Sequence, residues 1–435
     1  MTALPPDPPP APASPAAAAF ALAFGGMSVE SVLRLRETRE ARHFPADDPA
    51  RFRALCGVAD LDAWLATGAA RCPQVGMADG SREGSAAVPP ELFTREDGRI
   101  DPAGLFARFD GGATLVVSQF QDMHPPLARF CRGLEKLFLH PVQCNVYLTP
   151  PGAQGFRTHF DTHDVLVLQV QGEKRWRLFP GQPLPDPTRH TRWDRDRYPP
   201  TGEPETLLLR PGDALYVPRG VLHDALAQRG GDGGGDGGGE ASLHLTIGFL
   251  EPSWAEALHD ALDLLEPEEA ALRAAFPTWR LTEPNALPAL LRGMAEKLER
   301  LNRAAVLERV SVRMLDRLAG ERMPLPGRGL LATPPGPTEP LRLAETSHHH
   351  VAAAPDGTAT LRWGGGVEVL DAASLGWLER LEEGACAAEL GEGALEFCRR
   401  LAALGLLERV PSSDTTAAVP RKAPAAATVA GRAAA

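Results

Sequence analysis

A histidine and an aspartate two positions apart, His159 and Asp161, are followed much later in the chain by a second histidine, His223. If the first pair lies in an extended strand, its two side chains project to the same side and can hold one ion together. Two imidazoles and one carboxylate around a metal with open positions form the facial triad of non-haem Fe(II) oxygenases. The three residues therefore predict a metal site, and they require a fold that brings distant segments side by side.

A buried lysine is predicted near this site. The sequence from Val165 to Phe179 alternates in hydrophobicity on both sides of Gly172, and it predicts two strands joined as a β-hairpin. In the second strand Lys174 shares a face with Trp176, so its ammonium is predicted to point inward. Because burial of an unpaired charge is costly, either a protein carboxylate or a bound acidic ligand is expected to meet it.

A further strand offers polar side chains on one face. Asn145, Tyr147 and Thr149 alternate with apolar residues just before the first histidine of the metal site. Since side chains two positions apart in a strand face the same side, these three are predicted to line the same cavity as Lys174.

Taken together, these segments resemble the JmjC-type ribosomal oxygenases. The likeness runs through residues 145–150, 155–161, 169–176 and 211–223, and the motif types, their order and their separations agree together across roughly residues 110–250. The resemblance implies a mainly β double-stranded β-helix, the cupin or JmjC barrel. It also implies that a helical region and a small winged-helix-like α+β module follow the barrel.

The resemblance further implies roles for individual residues. His159, Asp161 and His223 would ligate Fe(II) and would be the catalytic residues. Lys174 falls where the family places the basic residue that pairs with the distal carboxylate of 2-oxoglutarate, and Tyr147 and Asn145 fall where it places polar cosubstrate contacts. With O2 as the other cosubstrate, the implied reaction is hydroxylation of a protein side chain, coupled to conversion of 2-oxoglutarate to succinate.

The length of the chain predicts several domains, because 435 residues exceed what one hydrophobic core usually serves. We predict a JmjC/cupin catalytic domain at 18–251, a helical region that is a candidate for dimerisation at 252–322, a linker at 323–342 and the winged-helix-like module at 343–410. The Pro/Ala-rich residues 1–17 and residues 411–435 are predicted to be disordered tails.

Charge and cysteine usage narrow the partners and the compartment. The formal net charge of −11 argues against direct nucleic-acid binding and suits a basic protein substrate such as a ribosomal protein. Six cysteines lack paired metal spacings, so neither a disulfide framework nor a zinc site is expected. The N-terminal residues do not form a signal-peptide pattern, and no stretch is long enough to span a membrane. We therefore expect a cytoplasmic protein with reduced thiols.

Two alternatives stay open at this stage. The chain could hydroxylate a small molecule or a peptide, which a deep, closed pocket would favour. It could also be a non-catalytic cupin that binds metal and serves as a scaffold. The sequence determines neither the substrate and its hydroxylated residue, nor the stereochemistry, nor the oligomeric state.

Some residues near the motifs have open roles. His163 is predicted to lie on the metal-facing side of its strand, as a solvated residue rather than a fourth ligand, and His244 is predicted to support the site or to fill the core. The Gly/Asp-rich insertion 229–240 is predicted to be a flexible hairpin tip, and the consecutive histidines 348–350 are predicted to be solvated.

Overall fold

The computed structural model describes residues 14–83, 85–229, 239–283, 286–299, 303–321, 331–344, 347–354 and 357–410. Most of the predicted N-terminal tail, all of the predicted C-terminal tail, most of the insertion 229–240 and part of the linker 323–342 lie outside these ranges.

Two antiparallel sheets form the barrel. Its strands are β1 (Arg42–Phe44), β2 (Val75–Ala78), β3 (Thr114–Val117), β4 (Val142–Thr149), β5 (Asp164–Gln171), β6 (Lys174–Leu178), β7 (Glu205–Leu209), β8 (Ala214–Val217), β9 (His223–Ala227) and β10 (Ser242–Phe249). The larger sheet has the order β1-β8-β5-β10-β4-β3-β2, and the smaller has the order β7-β6-β9. Apolar side chains of both sheets pack into one cluster between them, including Val167 and Leu215 from the larger sheet and Trp176 and Leu209 from the smaller. This is a β-sandwich closed into a barrel.

The predicted β-hairpin between residues 165 and 179 is wrong. Strand β5 pairs with β8 and β10, whereas β6 pairs with β7 and β9. The chain crosses from one sheet to the other at Gly172, which has φ of +64°, and a Cβ there would lie 2.6 Å from the carbonyl oxygen of Ala241. Alternating hydrophobicity reports which face of a strand is buried but does not identify its neighbours, so the sequence pattern could not reveal this crossing.

Helices cover the outer face of the larger sheet. They are α1 (Pro15–Phe24), α2 (Val29–Thr38), α3 (Val58–Ala66), α4 (Pro102–Asp110) and α5 (Pro125–Phe138). Helix α5 buries an apolar stripe that includes Leu127, Phe130 and Leu134, and α1 packs on it through Phe20, whose ring centroid lies 6.4 Å from that of Phe138. No single helix among the described residues is both long and apolar enough to cross a bilayer; α1 and α2 meet that test only as a pair, bent by 53°.

A helical region follows the barrel. It comprises α6 (Trp254–Leu265), α7 (Ala270–Arg273), α8 (Ala286–Glu299) and α9 (Arg303–Glu321). The Arg317 guanidinium on α9 donates to both carboxylate oxygens of Asp260 on α6 at 3.1 Å, which joins the two helices. Large apolar side chains on α8 remain exposed at Leu291, Met294 and Leu298. Dimerisation through this region stays a prediction.

The C-terminal unit has its own apolar core. Its elements are β11 (Pro340–Leu343), β12 (His349–Ala353), β13 (Ala359–Trp363), β14 (Gly366–Leu370), α10 (Ala372–Glu383), β15 (Ala385–Cys386), α11 (Ala387–Leu390), α12 (Ala394–Ala403) and β16 (Leu407–Arg409). The strands form two three-stranded sheets, β15-β11-β16 and β12-β13-β14. A mixed α+β unit therefore follows the helical region.

Each of the three consecutive histidines contacts a carboxylate, and two of these contacts join this unit to the rest of the chain, so the prediction that the histidines are solvated is wrong. His348 is buried, and its Nε2 lies 2.8 Å from Glu135 Oε2 on α5. The other two contacts are His349 Nε2 to Glu382 Oε1 at 3.6 Å and His350 Nδ1 to Asp316 Oδ1 at 3.3 Å. Consecutive side chains point in different directions, and here each of them reaches a carboxylate on a different helix.

Candidate active site

The His-x-Asp motif lies in an irregular segment, and the prediction that it forms part of a strand is wrong. Residues 157–163 lie between β4 and β5 and make a single isolated bridge, from His159 to His223. The His159 N–H donates to the His223 carbonyl at 3.0 Å, and the His223 N–H donates to the His159 carbonyl at 2.8 Å. This reciprocal backbone pair places the two imidazoles next to each other. Gly220 N–H donates to the Asp161 carbonyl at 3.0 Å and fixes the third residue.

The three predicted ligands converge on one point. One ligand atom from each of His159, Asp161 and His223 lies within 4.8 Å of the others. His159 Nε2 is 3.9 Å from Asp161 Oδ1, and His223 Nε2 is 3.8 Å from Asp161 Oδ2. The two histidines therefore present the same ring nitrogen to the same carboxylate.

Backbone carbonyls determine which nitrogen of each histidine is free. His159 Nδ1 lies 2.7 Å from the Arg157 carbonyl, and His223 Nδ1 lies 2.9 Å from the Val221 carbonyl. A carbonyl oxygen only accepts, so each Nδ1 must carry its hydrogen and donate it. Each Nε2 then keeps a lone pair directed at the shared point, which is the arrangement of a metal-ligating histidine with its outer-shell partner.

The protonation states suit a cation. Burial lowers the pKa of His223 below its usual range, and His159 lowers it further, so the imidazole is neutral at pH 7. Burial by itself raises the pKa of the Asp161 carboxyl, but the imidazoles of His159, His223 and His163 outweigh it, and the net pKa is lowered. Two imidazoles that each direct Nε2 at the shared point, together with one carboxylate, are the donor set that suits Fe(II) with open positions.

A buried aspartate next to the site holds its two halves together, and the sequence reading did not identify it. Asp224 accepts from Arg177 Nε and Nη2, both at 2.8 Å, and from Thr158 Oγ1 at 2.7 Å. It thereby links the segment before His159 to the strand that begins with His223. In the sequence, only its position directly after the predicted ligand His223 could have indicated a role for Asp224. Its hydrogen bonds with Arg177 depend on the pairing of β9 with β6.

Lys174 points into the barrel as predicted from the alternation in β6, where Arg175 and Arg177 face outward. Lys174 Nζ donates to Thr149 Oγ1 at 3.0 Å and lies 3.5 Å from His244 Nδ1. In the described part of the chain no carboxylate forms an ion pair with it. Burial lowers the pKa of this ammonium from 10.5 to about 7. Lys174 is thus a buried amine for which the described residues provide no anionic partner.

Aromatic rings connect the lysine to the metal-binding residues. The Tyr147 ring stacks on His244 with centroids 4.8 Å apart and an interplanar angle of 6°. Phe156 lies 6.1 Å from the Tyr147 ring and 5.8 Å from the His159 ring. Trp176 lies 5.8 Å from His223, and its buried Nε1 has no hydrogen-bond partner within the described residues. These rings form one wall that extends from Lys174 to the three ligands.

The other residues predicted for this site, Asn145, Tyr147 and His163, make polar contacts of their own. Asn145 Oδ1 accepts from the Gln119 backbone N–H at 3.0 Å, and its side chain also hydrogen-bonds Tyr147. Burial raises the pKa of Tyr147, and the Asp161 charge raises it further. His163 does not join the three-residue group; its Nε2 lies 3.4 Å from Gln143 Nε2.

The sequence profile of the JmjC domain matches residues 116–257, which include every residue of the site described above. This segment is therefore similar to the JmjC domain. The crystal structure of the E. coli ribosomal oxygenase YcfD is similar to this structure, with a TM-score of 0.50 at 18% identity over 88% of this chain and 98% of that one. That likeness shows the JmjC cupin fold.

Curated proteins with similar sequences match around the JmjC domain. The bifunctional lysine-specific demethylase and histidyl-hydroxylase NO66 of Drosophila willistoni is 30% identical over 220 residues, which cover 47% of this chain and 27% of that protein. Ribosomal oxygenase 2 of Bos taurus is 36% identical over 218 residues, which cover 47% of this chain and 44% of that protein. The match thus spans less than half of the length of either relative.

Proposed function

We propose that this chain is an Fe(II)- and 2-oxoglutarate-dependent oxygenase that hydroxylates a side chain of a protein, with a ribosomal protein as its substrate. One observation carries the proposal. The two Nε2 atoms and the Asp161 carboxylate converge at the end of a wall of rings whose other end is Lys174, a buried amine with no carboxylate partner among the described residues. A metal ion would bind the three ligands at one end, and an acidic cosubstrate would pair with Lys174 at the other.

The donor set fits Fe(II). His159 and His223 would each supply Nε2, because their Nδ1 atoms are engaged by carbonyls, and Asp161 would supply a carboxylate oxygen. Fe(II), when bound, supplies the centre at which O2 is activated while 2-oxoglutarate is oxidised to succinate and CO2. Asp224, through Thr158, holds the histidines at the spacing that this requires.

The protein residues position the cosubstrate. Lys174, in its protonated form, would pair with the distal carboxylate of 2-oxoglutarate, and Thr149 orients the amine through its hydroxyl. Tyr147 and Asn145 would supply polar contacts along the same strand. The rings of Tyr147, His244 and Trp176 pack together beside the buried Lys174, and the low dielectric of a buried site would strengthen the ion pair between Lys174 and the cosubstrate.

The choice of a ribosomal protein rests on two supports. Curated proteins with similar sequences are named ribosomal oxygenases or histidyl-hydroxylases. The net charge of −11 favours a basic partner over direct contact with nucleic acid. We further propose that the protein is cytoplasmic, that it forms a homodimer through the helical region, and that the C-terminal unit is a winged-helix-like module for protein contacts.

The test measures succinate formation from 2-oxoglutarate by the purified, Fe(II)-loaded protein in air. The cosubstrate is supplied with a ribosomal protein fraction or with a low-molecular-mass lysate fraction, and the products are analysed by mass spectrometry. The proposal predicts turnover stimulated by the ribosomal fraction and a gain of one oxygen atom on one of its proteins. Stimulation only by the small-molecule fraction would move the substrate to that class. Metal binding with no turnover in either fraction would favour a scaffold.

A further inference from the structure

A second group of metal-ligating side chains lies on the outer side of the barrel, away from the cavity of the JmjC domain. Cys56, Asp60 and His124 each offer one ligand atom, and these atoms lie within 4.8 Å of one another. Cys56 is buried, whereas Asp60 and His124 retain solvent exposure. Because 63 residues separate Asp60 from His124 in the sequence, no short metal-binding motif in the sequence predicts this group.

Two helix N-termini bring the three side chains together. Cys56 lies just before the N-cap residue of α3, and Asp60 lies in the first turn of that helix, where its Oδ2 accepts from the Gly57 N–H at 2.7 Å. His124 is the N-cap residue of α5, but its side chain makes no capping hydrogen bond. The start of α3 therefore fixes the positions of Cys56 and Asp60. The His124 side chain is not used to cap α5.

Packing of aromatic rings holds the two helix ends at this distance. Trp64 of α3 meets the Phe120 ring edge-on, with centroids 5.2 Å apart. The His124 imidazole stacks parallel to the same Phe120 ring, with centroids 5.3 Å apart and an interplanar angle of 5°. The orientation of the imidazole is thus set by stacking, and its ring nitrogens have no hydrogen-bond partner among the residues that the structure describes.

The three donors lie close together but do not bond to one another. In the described residues no ion pair joins Asp60 to His124, and the Cys56 thiol makes its hydrogen bond to the Gly57 carbonyl, at 3.7 Å. A tetrahedral zinc ion with ligand distances of about 2.0–2.3 Å places its ligand atoms roughly 3.5 Å apart. Side-chain rotations that shift the ligand atoms by about 1 Å would bring the donors to that separation.

We propose that Cys56, Asp60 and His124 form a second metal site, which binds Zn²⁺ with a water molecule in the fourth position. Sulfur, nitrogen and oxygen donors in one set favour zinc over the hard cations Mg²⁺ and Ca²⁺. Without a cation, burial and the Asp60 charge raise the pKa of the Cys56 thiol to about 12. A bound zinc ion would remove the proton and relieve the repulsion between sulfur and carboxylate. The site would fasten α3 to α5.

The thiolate gives this site a spectroscopic signature that the facial triad lacks. Co²⁺ substitutes for Zn²⁺, and a cysteine thiolate bound to Co²⁺ gives a strong charge-transfer band in the near ultraviolet, whereas two histidines and an aspartate give none. The full-length protein is stripped of metal with a chelator and titrated with Co²⁺. We expect two equivalents to bind and the charge-transfer band to saturate with one of them.

Variants assign the band. Cys56→Ser should remove the band and one equivalent of Co²⁺, whereas Cys398→Ser, which alters another buried cysteine in the C-terminal unit, should keep both. His124→Gln leaves the thiol in place and alters a partly exposed side chain, so it tests the site even if Cys56→Ser fails to fold; we expect it to weaken Co²⁺ binding at least tenfold. Asp161→Ala should lose the other equivalent and retain the band. Absence of the band in the unaltered protein, or its persistence in both Cys56→Ser and His124→Gln, would overturn the proposal.

Discussion

Replacement of Lys174 by methionine should stabilise the fold and weaken 2-oxoglutarate binding at the same time. Methionine has nearly the same length, so it fills the space of the lysine side chain without the charge. In the absence of a cosubstrate, the buried amine is an unfavourable feature of the folded state, because burial lowers its pKa from 10.5 to about 7. The same amine is the group that we expect to meet the distal carboxylate of 2-oxoglutarate.

The size of the stabilisation follows from the pKa. Since one pKa unit corresponds to about 1.4 kcal/mol, the lowered pKa costs the folded state about 4 kcal/mol at pH 7. The variant also loses the hydrogen bond to Thr149, which is worth about 1 kcal/mol. We therefore expect a net gain in the free energy of unfolding of about 3 kcal/mol at pH 7.

The gain should depend on pH in a defined direction. A lysine with a lowered folded-state pKa destabilises the fold fully below that pKa, and the penalty disappears as the pH rises toward the unfolded-state value of 10.5. Between pH 7 and pH 9 the penalty falls from about 4 to about 2 kcal/mol. The advantage of the variant over the wild type should therefore shrink by about 2 kcal/mol over this range.

Chemical denaturation at the two pH values measures the stability, and calorimetric titration of the Fe(II)-loaded protein, without oxygen, measures 2-oxoglutarate affinity. Loss of a charge-assisted hydrogen bond worth about 1.5–3 kcal/mol predicts that affinity falls roughly 10- to 150-fold, with iron affinity unchanged. Arg175→Met, on the outward face of the same strand, is the matched control and should change neither property. A Lys174→Met variant that is less stable than the wild type at pH 7, or that binds 2-oxoglutarate normally, would refute the reasoning.

Further predictions concern the metal ligands, their support and the contact between units. His159→Ala or Asp161→Ala should abolish succinate formation, and wild-type turnover in either variant would contradict the assigned ligand set. Asp224→Asn weakens the link to Arg177 and Thr158 and should lower Fe(II) affinity about 10- to 100-fold in metal titrations; unchanged affinity would show that this link does not position the ligands. Burial lowers the pKa of His348 despite its contact with Glu135, so protonation below about pH 6.5 should destabilise the contact between α5 and the C-terminal unit. The stability of the wild type relative to His348→Gln should fall from pH 7 to pH 5, and a rise would contradict the direction of this pKa shift.

Local patterns in the sequence predicted the parts of the site that depend on single strands. The inward direction of Lys174 follows from the period of two in a strand, which needs no knowledge of the neighbouring strands. The choice of His159, Asp161 and His223 follows from residue chemistry together with the family resemblance, and the structure brings these three together. The shared face of Tyr147 and Thr149 is also a property of one strand.

Features that depend on long-range pairing could not be predicted in this way. The crossing at Gly172 replaced the expected hairpin because strand partners are chosen by the whole barrel. The role of Asp224 requires that β9 lie beside β6, and the contact of His348 with Glu135 joins residues 213 positions apart. Cys56 and His124 likewise meet only because two helix ends pack through Trp64 and Phe120.

The central claim is that the three ligands and Lys174 operate as one 2-oxoglutarate-dependent oxygenase site. The most direct measurement is turnover under isotopically heavy dioxygen with the ribosomal protein fraction, followed by mass spectrometry of both products. The account predicts one labelled oxygen atom in succinate and one in the hydroxylated protein, in equal molar amounts, with neither product formed by Asp161→Ala. Unlabelled succinate, or equal labelling by the wild type and Asp161→Ala, would contradict it.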